Sequence, residues 1–195
     1  KKPIFYAVDT AGSQNLDKEE SIKYIETKVK IIDLLISKGA SVNEIYNDGG
    51  RYSEDISLFD TITNPRIAEY VAKKGVKFSS LLEASVAKIE NSKVEEILKK
   101  SSKESKEAAF KIAVKFGYKD IANLFLVDGV VDKNKALFVS VNYNQYDITE
   151  LLLLAKANPN IEDYYKEVEL KCRPIDIVLI KDNKTIFDLL RKYGA

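Results

Sequence analysis

Between Ala108 and Val130 the apolar residues fall into two short blocks separated by a glycine. Ala109, Phe110, Ala113 and Val114 share one narrow helical face. Gly117 breaks the run. Ile121, Ala122, Leu124, Phe125 and Leu126 form a second face, and Asp128-Gly129 stops it. The pattern predicts two helices of about ten residues each, too short to be stable alone in water. Such a pair needs copies of itself to stack on, so the chain must be searched for repeats.

Copies lie on both sides. Lys2-Pro3-Ile4-Phe5-Tyr6-Ala7-Val8 opens like the first helix of a pair, with Pro at the helix start, where its missing N–H is no loss. Lys28 to Asn43 reads as a second helix with its stop. Its apolar face is Ile31, Ile32, Leu34, Leu35 and Ile36, and Gly39 is the C-cap. Residues 12–27 form an insert inside this first unit, with GSQNLDKEE as loop and SIKYIET as added helix. A long surface insertion is thermodynamically tolerable. It reads either as a decorated loop or as a partner-contacting lobe.

The turn Gly39-Ala40-Ser41-Val42-Asn43, after an I-x-x-L-L helix, resembles the ankyrin repeat. The Thr-Pro-Leu-His opening of that family corresponds to Lys2-Pro3-Ile4-Phe5 and to Arg173-Pro174-Ile175-Asp176. The resemblance covers essentially the whole chain as one array over 1–195. Six degenerate repeats are expected near 2–43, 54–76, 79–102, 107–130, 135–160 and 173–195, with Asn64 capping a helix in the second. It implies an all-α solenoid of stacked helix-turn-helix pairs. The Thr and His of the family opening hydrogen-bond to fix the turn, and no copy here has the His. That puts local rigidity in doubt and leaves the fold expectation intact. Another helix-pair solenoid, of the tetratricopeptide or HEAT kind, is the other architecture, but the regular tetratricopeptide period is missing.

In the family, hairpin fingers separate successive pairs. Here the intervals from Gly39 to Glu54 and from Lys156 to Arg173 are long. Those from Gly75 to Ser80, Ser102 to Ala108 and Gly129 to Lys135 are short. Long fingers are therefore expected only near the two ends, at 44–53 and 161–172, with Asp48-Gly49-Gly50 as a hairpin turn. Bare helix stacking is expected in the middle. Drift in surface loops accounts for this as well as a groove between two fingers does.

Composition narrows function by exclusion. The 31 basic and 30 acidic residues nearly balance, without the basic stripe of a nucleic-acid surface. Histidine is absent, so Ser/His/Asp and Cys/His catalysis is excluded. There is no Walker, GxGxxG, CxxC or HExxH motif. The lone Cys172 permits no internal disulfide and reads as structural. No apolar run reaches the roughly 18 residues of a membrane span. The chain starts Lys1-Lys2 and holds no Met, which fits a mature chain after signal removal or a piece of a longer one. A soluble protein, cytoplasmic or exported, is expected, with no cofactor and no metal.

The expected function is a non-catalytic protein–protein interaction module with an unknown protein partner. The resemblance implies that the partner lies on a concave face made by finger tips and first helices. By position, Asp9 and Thr10, Lys115 and Phe116, Asn142 and Tyr143, and Ile180 and Lys181 point into it. Phe116 and Tyr143 would be neighbouring exposed aromatics on adjacent repeats, an arrangement typical of an interaction hot spot. Alternatively the rings pack on each other or on the turn. Finger residues Tyr46, Arg51, Tyr52, Tyr164 and Tyr165 form a second candidate set, since Tyr and Arg are enriched at interfaces. The alternatives are a scaffold or targeting domain of a larger enzyme or effector, and peptide or small-ligand binding in the fingerless middle. Ile4 and Phe5 on the first repeat need cover, from a capping segment or from weak self-association.

Overall fold

The computed structural model describes residues 2–9, 18–46, 56–165 and 168–195. The described residues are mostly helical, and they fall into two compact units, 1–78 and 79–195. Each has its own arrangement.

The N-terminal unit holds α1 (Pro3–Val8), α2 (Lys18–Ser37), β1 (Ile45–Tyr46), β2 (Ile56–Ser57), α3 (Leu58–Thr61) and α4 (Pro65–Lys73). Pro3 and Pro65 each start a helix, and the Asn64 side chain accepts from the amides of Arg66 and Ile67. The SIKYIET segment is continuous with α2, making one 20-residue helix. Of the expected α2 face only Ile32 is fully buried. Ile31 and Leu34 are exposed, because at 100° per residue one packed side cannot cover five of six consecutive positions. Ile4 and Phe5 are buried within this unit. Residues α1 shares with α2 and α3, and α2 with α4, build the small core. Across α2 and α4, Lys74 Nζ lies 2.8 Å from Asp33 and 4.8 Å from the centroid of the Tyr70 ring. Hydrogen bonds from Lys74 and Tyr70 hold the Asp33 carboxyl below its ordinary value.

The C-terminal unit is four successive helix pairs: α5 (Leu81–Ala87) with α6 (Asn91–Leu98), α7 (Lys103–Phe116) with α8 (Lys119–Asp128), α9 (Lys133–Asn142) with α10 (Tyr146–Leu154), and α11 (Pro174–Ile180) with α12 (Lys184–Lys192). First helices stack on first helices, α5 on α7 on α9 on α11. Second helices stack likewise, α6 on α8 on α10 on α12. Between α10 and α11 stands an antiparallel hairpin, β3 (Asp163–Tyr165) and β4 (Leu170–Cys172), in the register Asp163 to Cys172 and Tyr165 to Leu170. The first hairpin pairs Tyr46 with Ile56. Hairpins thus stand where the long intervals are, and helices α7 and α9 follow short turns. The tip of the first finger, with Asp48-Gly49-Gly50, lies outside the described residues, as do residues 12–17 of the insert.

One turn recurs inside every pair of the C-terminal unit. The residue after the turn donates its amide to a carbonyl five residues back: Glu90 to Ser85, Tyr118 to Ala113, Gln145 to Ser140 and Asn183 to Val178, at 2.8–3.1 Å. The residue before each donor is left-handed: Ile89, Gly117, Asn144 and Asp182. At Gly117 the glycine does more than supply positive φ. An added Cβ would lie 2.5 Å from Oε1 of Gln145, whose Nε2 donates to the Lys115 carbonyl at 2.8 Å.

The helix openings lack histidine yet keep a local lock. Ser57 Oγ donates to Asp60, and Ser80 Oγ to Glu83, while each hydroxyl accepts the amide of that acid. In the last pair Asp176 accepts from the Arg173 amide, Nε and Nη2 at 2.9–3.2 Å. Arg173 thereby holds the Asp176 carboxyl below its ordinary value. An acid three residues on replaces the family's His in these three openings, so rigidity is retained there. α7 is longer than expected because Ser102 caps it a turn before Glu107, accepting from the Ser105 amide. Its Lys106 is buried and pairs at 2.8 Å with Asp128 at the end of α8.

Candidate groove between alpha7 and alpha9

Two first helices of the C-terminal unit leave a groove between them. On α7 the positions Glu104, Glu107, Ala108 and Lys111 share a face, at i, i+3, i+4 and i+7. On α9 the matching set is Asp132, Lys135, Ala136 and Val139. An alanine at the centre of each face leaves space that a larger side chain would fill. Phe110 and Phe138 also line it, and Asp163 of β3 completes it. The resulting cavity is about 460 Å³, within the rough range of 300–1,000 Å³ typical of ligand pockets. Its walls are mainly apolar, and its polar groups are four carboxylates and two ammonium groups.

The carboxylates have different duties. Asp132 caps α9, accepting from the amides of Asn134 and Lys135. Glu104 sits in the first turn of α7, where its own backbone amide and then the Ser102 hydroxyl hold its carboxyl below the ordinary value. Glu107 has only a 3.8 Å pairing with exposed Lys103. Asp163 accepts from the Tyr164 amide at 2.8 Å. Among the described residues no cluster of three or more acidic, Cys or His residues could hold a metal.

Tyr165 fastens the hairpin to α9. Tyr165 is 3% exposed, and its ring meets Phe138 edge-on at 6.1 Å. Its hydroxyl donates to Asn142 Oδ1 at 3.1 Å. That anchor sets where Asp163 stands. At the other end of α7, Lys115 Nζ lies 5.0 Å from the Phe116 ring centroid and 5.3 Å from that of Tyr143. Phe116 also stacks on Tyr118 at 5.9 Å.

Of the sequence candidates, Lys115, Phe116, Asn142, Tyr143 and Tyr165 therefore converge on the first-helix layer. The expectation that Phe116 is exposed is corrected: it is 3% exposed, covered by Tyr118 and Lys115. Lys115 is likewise buried, and Tyr165 faces the core rather than a partner. Asn142 and Tyr143 are half-buried, and Tyr164 is exposed. Tyr46 packs on Phe5 at 5.9 Å in the N-terminal unit. Arg51 and Tyr52 lie outside the described residues. Ile180 and Asp9 are exposed and Lys181 half-buried, while Thr10 is not described. Most groove residues were missed because the apolar face of Ala109, Phe110, Ala113 and Val114 is the one that packs inward, and of these only Phe110 also lines the groove. The signal was the adjacent i, i+3, i+4, i+7 set with alanine at its centre, present in both helices.

Stacked helix pairs with shared turns and an intervening hairpin define a helical-repeat protein. Its residues 132–164, from the α9 cap to the first strand of the hairpin, match the family model of the ankyrin repeat. The chain thus carries an ankyrin repeat, which is a protein–protein interaction module and in general non-catalytic. No curated protein matches the chain. No helix among the described residues is long and apolar enough to cross a membrane.

Proposed function

We propose that the protein is a non-catalytic binding module whose partner docks on the first-helix side of the C-terminal unit, the face that is concave in ankyrin arrays. The observation that carries this is the groove: an apolar trough with charged edges, built from equivalent faces of two adjacent repeats with no finger between them. Tyr143 and Asn142 beside it, and exposed Tyr164 on the hairpin, extend the contact surface. Tyr165 packs against Phe138 of the groove wall, while buried Lys115 and Phe116 close the far end of α7. Tyr46, Arg51 and Tyr52 would serve a second contact from the N-terminal unit. A peptide-sized occupant suits the groove better than a flat protein face, since its walls converge on a space for one or two side chains. The array would serve equally as the targeting part of a larger enzyme or effector.

The test is a quantitative pull-down from the native source with three baits: the wild type, Val139→Arg in the groove, and Val127→Arg on the 80% exposed second-helix position. Circular dichroism checks that each variant folds. A partner lost with Val139→Arg and kept with Val127→Arg supports the groove. Equal retention by both variants places docking elsewhere.

A further inference from the structure

The rim of the groove carries a charge pattern that its helix caps do not explain. Glu104 and Asp132 are occupied with the first turns of α7 and α9. Glu107 and Asp163 serve no cap of these helices and come from different elements, α7 and the hairpin. Among the described residues Glu107 pairs with Lys103 at long range on the surface, and such pairs contribute little. Two ammonium groups, Lys111 and Lys135, share the rim with four carboxylates, so the mouth is net acidic. Beneath lie Ala108, Phe110, Ala136, Phe138 and Val139, which can bury a large apolar side chain. Burial of that kind removes apolar surface from water and favours an occupied groove.

Resting on the docking surface proposed above, we infer that the groove takes an extended protein segment with one bulky apolar residue flanked by lysine or arginine. The apolar side chain enters between α7 and α9, and the flanking cations meet Glu107 on one wall and Asp163 on the hairpin. The charge complementarity selects this occupant over an acidic segment, because carboxylates placed beside Glu107 and Asp163 would be repelled. Tyr165 packs the hairpin against α9 on the strand that carries Asp163.

The experiment uses the full chain labelled with ¹⁵N and three capped pentapeptides: Gly-Arg-Phe-Arg-Gly, Gly-Arg-Ala-Arg-Gly and Gly-Glu-Phe-Glu-Gly. Saturable shifts at the amides of Ala108, Lys111, Ala136 and Val139 are expected with the first peptide. Affinity should fall about tenfold for the second, with its anchor removed, and about tenfold for the third, with its charges reversed. The double change Glu107→Lys/Asp163→Lys, both on partly exposed sites, should invert the preference between the Arg and Glu peptides without altering the circular dichroism. Equal or tighter binding of the Glu peptide in the groove would overturn the inference while leaving the docking surface standing. Shifts confined to other residues, no saturable shift with the first peptide, or an unchanged preference in the double variant would also overturn it. The docking surface itself stands or falls separately, on the partner's response to Val139→Arg.

Discussion

Ile89 turns α5 into α6 at φ 58°, the left-handed conformation that Gly117, Asn144 and Asp182 take in the other three pairs. A β-branched residue there carries strain of about 1–2 kcal/mol. The residue is 38% exposed, so a polar replacement gives up only part of its packing. Ile89→Asn should therefore raise stability by about 1 kcal/mol, read as a higher urea midpoint with an unchanged m-value. A lowered midpoint would mean that the covered part of Ile89 matters more than its backbone. A second departure from the shared pattern sits four residues earlier. Among the described residues the buried Ser85 hydroxyl meets no partner, whereas the equivalent Ser140 hydroxyl donates to the Leu137 carbonyl and meets Thr149 at 3.0 Å. Both departures fall in the same pair, α5 with α6.

Successive repeats are tied at their ends by asparagine. Asn43 donates to the Gly75 carbonyl at 3.0 Å and accepts from the Lys77 amide at 2.7 Å. Asn160 donates to the Gly194 carbonyl at 2.8 Å, one repeat ahead. Asn160→Ala should lower stability by about 1 kcal/mol and speed amide exchange in the turn at Tyr193–Ala195. Unchanged exchange there would show that the tie is incidental. These links explain what was legible. Gly39-Ala40-Ser41-Val42-Asn43 and Ala157-Asn158-Pro159-Asn160 are short motifs legible in the sequence, although Asn43 and Asn160 bond one repeat ahead. Hairpin placement followed from interval length alone. The burial of Phe116 was not legible, because it depends on how Tyr118 and Lys115 fold over the end of α7. The groove was not legible either. It exists only once α7, α9 and the hairpin are in register, and that register is set by Tyr165, Phe138 and Asn142 across more than twenty residues of chain.

The C-terminal unit encloses one core, running from Leu82 through Phe110, Phe125 and Leu152 to Leu190. Because those residues all lie within 79–195, that segment alone should keep its helical circular dichroism and unfold cooperatively. A non-cooperative melt would show that this core needs residues 1–78. Two resolved transitions in the whole chain would argue against the reading of 1–195 as a single cooperative array. The shared turn inside each pair has one more consequence at this scale. Ser85, Ala113, Ser140 and Val178 accept the same amide bond, and the first three follow one another at nearly equal intervals. The last interval is longer by about the length of the hairpin, yet α9 still stacks on α11. The finger is thus an insertion that the stack absorbs. An evolving chain that gains or loses one redraws its contact surface while the helix layers stay in step, at the cost of refilling the small space that Tyr165 and Cys172 occupy in the core.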